Sequence, residues 1–176
     1  MTDIYEKNES GQGFAAQIAR QFHIPRWEQL PSIDLYMDQL LVYIANSLGA
    51  YFACTGTAGL TKSMVNNYVK VGMIPRPTGK KYDRDHLAML IMIGVLKQAL
   101  SMESISRLLG FLCERDVRTG YDQFCAIIRR IEESAKGGRI ELFGDGIDER
   151  EMALRSGVMA ALCTIHTCRL LEKERA

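Results

Sequence analysis

Four polar side chains stand at helical spacing in the middle of the chain: Ser63, Asn66, Asn67 and Lys70, at i, i+3, i+4 and i+7. Residues at those intervals share one face of an α-helix. A hydroxyl, two carboxamides and an ammonium are groups that hydrogen-bond base edges and backbone phosphates, so a helix presenting them suits a nucleic-acid groove. The charge pattern points the same way. From 61 to 84 the chain places Lys62, Lys70, Arg76, Lys80, Lys81 and Arg84 against the single acid Asp83, a local charge of +5 within a chain whose total is +1. The remainder is therefore mildly acidic. One basic face on such a body is the layout of a protein that offers a single patch to phosphate. Lys62, Ser63, Asn66, Asn67, Lys70, Arg76, Lys80, Lys81 and Arg84 are the candidate contacts.

Other reactive residue types give weaker patterns. Cys163 and His166 lie at i, i+3 with Cys168 close by, and thiolate with imidazole suits soft metals. Only two of the three can share a helical face and no partner cluster follows, so buried thiols and a structural histidine are expected rather than a metal site. The five cysteines form no C-x-x-C pair, and an odd number suits reduced thiols. His23, His86 and His166 lie in dissimilar contexts, and neither a phosphate-cradling G-x-x-x-x-G-K-[ST] loop nor a G-x-S-x-G elbow is present. Neither catalysis nor a cofactor is expected.

The candidate contacts need a scaffold, and the composition supplies one. With 47% hydrophobic and 24% charged residues over 176 positions, the chain can bury one core, or a small module with an oligomerising extension. The longest apolar run, 87–96, is about half of what a membrane-spanning helix needs. The opening residues hold no basic stretch leading into an apolar one, so no secretory signal is expected and the cytoplasm is the expected location.

Periodicity places the elements. The first dozen residues are polar and expected to be unstructured, 14–22 suits a short amphipathic helix, and Pro25 and Pro31 bracket a connector holding the single tryptophan, Trp27. Ser32 is the expected N-cap of a helix from Ile33 to about Gly49, followed by a turn at 53–60. Thr61 caps a short helix to about Val71, and Gly72 is placed to end it in a left-handed conformation. Its other side, Met64, Val65, Tyr68 and Val71, is expected to be buried. The segment 74–82 cannot be helical, because Pro75, Pro77 and Gly79 fall within five residues. Asp83 or Arg84 then opens a helix apolar on nearly every side, the expected centre of the core. Ser101 caps the next helix, 121–136 suits another, and 139–146 suits a brief extended piece with a turn at its end. Asp148 opens a last helix of roughly 25 residues, long by base rates. Its Leu154, Val158, Ala161, Ile165 and Cys168 alternate four and three apart, the seam of a helix that pairs with another.

In this order the elements resemble the DNA-binding domain of MerR-type transcriptional regulators, over about 61–109. Tyr68 matches the family's tyrosine in the recognition helix, and Gly72, Met73 and Ile74 its glycine and following apolar pair. Pro75 and Arg76 match the start of the wing, and Lys80 and Tyr82 its close. Leu87, Leu90, Ile93 and Leu96 match the next helix; Ser101, Met102 and Ile105 match the turn into the last one. The segment, with LPSIDLYMDQ upstream and VNNYVK and KKYDR within it, is also similar to a bacterial family known as a domain of unknown function.

The expectation is an all-α protein: an N-terminal arm (1–32), a winged helix-turn-helix module with a short wing (33–112) and a C-terminal helical extension (113–176). The resemblance implies a homodimeric transcriptional regulator that sets the 61–71 helix into the major groove of double-stranded DNA, with the basic 75–84 turn on the adjacent backbone. In such regulators the part beyond the binding domain senses a small-molecule effector. Low net charge, a short wing, and Asn66 where the MerR family has arginine favour a second reading, a protein-interaction module on the same scaffold.

Overall fold

The computed structural model describes residues 24–54, 56, 59–136 and 146–173. The expected helix at 14–22, His23, the helix stop at Gly137 and Gly138, and most of the extended piece at 139–146 lie outside them. Among the described residues the fold is all-α apart from one small ribbon. A 3₁₀ turn at Trp27–Gln29 leads to strand β1 (Leu35–Tyr36) and helix α1 (Met37–Cys54). Helix α2 (Lys62–Lys70), strand β2 (Lys81–Tyr82) and helix α3 (Arg84–Leu96) follow. Helices α4 (Met102–Leu112), α5 (Val117–Lys136) and α6 (Glu149–Lys173) complete it.

Every residue from His86 to Leu96 is buried. A helix without a polar face has to be wrapped on all sides, and α1, α4, α5 and α6 all pack on α3. Helix α3 lies close to α1 at Gly94, where an added methyl group would run into the Leu48 side chain. Helix starts are set by local side chains. Thr61 accepts from the Met64 N–H at 3.3 Å, Asp83 from His86 at 3.1 Å, Ser101 from Ser104 at 3.2 Å and Asp148 from Glu151 at 2.8 Å. Each satisfies one of the N–H groups a helix leaves without a partner at its N-terminus.

Three sequence expectations change. The helix expected at 33–49 begins four residues later, because Leu35 and Tyr36 pair with β2 instead, and Ser32 lies in a bend rather than at a cap. It also passes through Gly49 to Cys54. Tyr51 and Phe52 bury their rings there, and that burial outweighs the glycine's cost of about 0.5–1 kcal/mol. The seam of α6 also has a different use. Leu154, Val158, Ala161 and Ile165 are buried, and α6 packs on α1, α3, α4 and α5 of its own chain.

The connector around Trp27 is part of the core. Ile24, Trp27 and Leu30 are buried, the Tyr121 hydroxyl donates to the Pro25 carbonyl at 2.7 Å, and the Trp27 and Tyr121 rings meet edge to face at 6.2 Å. Burial pushes the Tyr121 hydroxyl far above its ordinary pKa, with Cys125 adding to it, so the phenol stays protonated and remains a donor.

Candidate nucleic-acid interface

Helix α2 is anchored by two side chains. Val65 and Tyr68 are buried, while Lys62, Ser63, Asn66, Asn67 and Lys70 are exposed. The expected polar face is thus the solvent face. Burial also lifts the Tyr68 hydroxyl above its ordinary pKa. At the C-terminus Gly72 has φ +73°, the Gly72 N–H reaches the Val69 carbonyl at 3.1 Å and the Met73 N–H reaches that of Tyr68 at 2.9 Å. That pair of bonds is a Schellman motif, which needs the left-handed conformation glycine adopts at little cost. The chain turns there, and Met73 and Ile74 enter the core. Val71, expected on the buried side, is exposed because it is the cap residue where the helix ends.

The basic turn is a tight hairpin. Lys81 N–H donates to Thr78 O at 3.0 Å, and Gly79 and Lys80 have φ of +57° and +63°, as a type I′ turn requires at both central positions. Strand β2 pairs antiparallel with β1, Leu35 opposite Tyr82 and Tyr36 opposite Lys81. Leu35 and Tyr82 are buried, whereas Tyr36 and Lys81 face solvent, the alternation a strand imposes.

His86 secures this hairpin to the core. Its Nε2 lies 3.2 Å from the Pro75 carbonyl oxygen and its Nδ1 lies 2.6 Å from Asp83 Oδ1. The ring also stands edge-on to Tyr82 at 5.3 Å. Burial raises the Asp83 carboxyl, but the His86 backbone N–H and side chain outweigh it and hold the group below its ordinary range.

The expected basic contacts have different surroundings. Arg76 and Lys80 are exposed. The Lys81 ammonium lies 5.5 Å from the Tyr36 ring centroid. Lys62 is ion-paired with Asp38 at 2.6 Å. Arg84 is turned inward: its Nε donates to the Pro31 carbonyl at 3.3 Å and its guanidinium lies 5.6 Å from the Trp27 ring centroid. Its charge therefore also serves to fasten the connector. The strand–helix junction at 35–38 brings Tyr36 and Asp38 to the basic groups, and β1 carries no turn glycine or long alternating run that would have marked it in the sequence.

Cys163 is exposed, and His166 and Cys168 are half-buried. Among the described residues no three His, Cys, Asp or Glu side chains are grouped to hold a metal. Burial pushes the Cys113 and Cys125 thiols up to about 11, Asp85 and Asp116 adding to the effect at Cys113, so neither is a ready thiolate. No helix of the described residues is long and apolar enough to cross a membrane.

Residues 25–124, more than half of the chain, match the family described as a domain of unknown function, DUF1836, and the chain belongs to that family. The match runs from the Trp27 connector into α5 and includes α2, the hairpin and His86, but not α6. No curated protein and no solved structure matches the chain.

Proposed function

We propose that this member of the DUF1836 family is a DNA-binding transcriptional regulator of MerR-like helix-turn-helix type, with the tight hairpin at 78–81, braced by β1, as a short wing. Helix α2 enters the major groove of double-stranded DNA, and Arg76, Lys80 and Lys81 hold the adjacent backbone. The observation that carries the reading is the solvent face of α2, Ser63, Asn66, Asn67 and Lys70. It stands on a helix fastened at both ends and followed by a tight basic hairpin. Amides and hydroxyls for base edges next to ammonium groups for phosphate match the division of labour in groove readers.

A salt titration on mixed-sequence duplex DNA tests this. Neutralised phosphates give a linear fall of log affinity with log salt, about 0.9 in slope for each one. Replacing Lys70, Lys80 and Lys81 with alanine should lower the slope by roughly 2.7 if all three touch phosphate. Absence of binding by the wild type at low salt refutes the regulator, and an unchanged slope in a folded triple variant refutes the patch.

The homodimer belongs to the same reading. Between Arg155 and Arg169, α6 has no charged residue in its sequence, yet Ser156, Ala160, Cys163 and Thr167 face solvent. A helix uncharged on its outer face as well as its inner one suits burial on both, so a second copy would cover that face. A light-scattering mass of one chain at micromolar concentration refutes it.

The second reading, a protein-interaction module, is favoured by a groove of about 450 Å³ between α4 and α6, lined by Leu100, Leu108, Phe111, Gly157 and Ala160 among others. The salt titration separates the two.

A further inference from the structure

We propose that Tyr36 is a further DNA-contacting residue, its phenolic O–H donating to a backbone phosphate and its ring seating Lys81; this rests on the DNA-binding reading above. Tyr36 lies outside the basic 61–84 segment and reaches its face only because β1 pairs with β2. The pairing sets Tyr36 directly opposite Lys81, with both side chains on the solvent side of the ribbon. Among the tyrosines of the described residues, Tyr51, Tyr68, Tyr82 and Tyr121 are buried and Tyr43 is half-buried. Tyr36 is 55% exposed, so the core does not account for its aromatic ring.

The surroundings of Tyr36 give the ring and the hydroxyl separate tasks. The Lys81 ammonium at 5.5 Å from the ring centroid is within cation–π range, and an aromatic face restricts a side chain that otherwise has about 2 kcal/mol of rotamer entropy to lose. Two residues on, Asp38 is ion-paired with Lys62 at the start of α2. The short junction 35–38 is therefore in contact with both basic elements, the hairpin through Tyr36 and α2 through Asp38. A duplex lying across both elements passes over this junction. Tyrosine hydroxyls are among the common donors to phosphate oxygens.

Duplex affinity and salt slope of Tyr36→Phe and Tyr36→Ala are measured beside wild type and the triple lysine variant, with thermal unfolding as the check on folding. Tyr36→Phe, which keeps the ring, should weaken binding about three- to tenfold, the range of one hydrogen bond. Tyr36→Ala should weaken it further, because Lys81 loses its seat. Wild-type affinity in Tyr36→Phe, while the triple lysine variant is weakened, overturns this inference and leaves the DNA reading standing. Failure of the wild type to bind duplex at low salt overturns both.

Discussion

His86 Nε2 stands 3.2 Å from the Pro75 carbonyl oxygen, so a buried imidazole ties the start of the basic hairpin to the first turn of α3. The same ring is bonded to Asp83, which caps that helix. One side chain thus joins two elements whose relative placement determines where Lys80 and Lys81 stand. His86→Ala should cost about 1–3 kcal/mol for the packing and hydrogen bonds that the buried ring loses, read by denaturant unfolding. It should also speed amide exchange at Lys81, whose N–H closes the hairpin. Unchanged stability and exchange would contradict the tie.

Asp83 makes stability depend on pH in a defined direction. Its carboxyl is held below the ordinary value of 3.8, so its contribution is present above that value and is lost as pH falls through the depressed folded pKa. Asp83→Asn should therefore be less stable than wild type near neutral pH, and the difference should shrink at strongly acidic pH. A difference in melting temperature that stays constant down to that range would exclude this origin.

At Gly120, α5 lies close against the C-terminal end of α4. An added methyl group there would fall against the Leu112 carbonyl oxygen, which belongs to backbone and cannot rotate away. Gly120→Ala should destabilise by about 1–3 kcal/mol, the usual range for overpacking, despite alanine's higher helix propensity. Thermal unfolding that shows a stabilised variant would contradict the packing.

In the DNA-binding reading proposed above, Asp38 competes with phosphate for Lys62, its ion-pair partner. Both groups are largely exposed, so the pair itself is weak, on the order of 0–1 kcal/mol. Asp38→Asn should raise duplex affinity by up to about fivefold at low salt, with little change in melting temperature. Weaker binding in a folded variant would show that the pair positions Lys62 instead of restraining it.

Much of the fold was legible in local chemistry. Thr61, Asp83, Ser101 and Asp148 announce helix starts because a short polar side chain beside an apolar periodic run satisfies orphan N–H groups. Gly72 announces a helix end because the left-handed position suits it. The all-round apolar stretch 87–96 could only be a central helix. The polar face of α2 was equally legible, since helical period alone decides which side chains Val65 and Tyr68 leave outward.

Local sequence alone thus carried the described helices apart from the start and end of α1, the caps at Thr61, Asp83, Ser101 and Asp148, and the polar and basic groups of the candidate face. Only the tertiary structure decided how those groups are joined. The pairing of Leu35 and Tyr36 with Lys81 and Tyr82 brings together residues more than forty positions apart, and a two-residue strand has too little periodicity to reveal its partner. The same holds for the link from His86 to Pro75, the inward turn of Arg84 onto Trp27, and the docking of the α6 seam inside its own chain. Each joins separate segments of the chain, and its stabilisation exists only after the core has formed, so local propensity does not encode it.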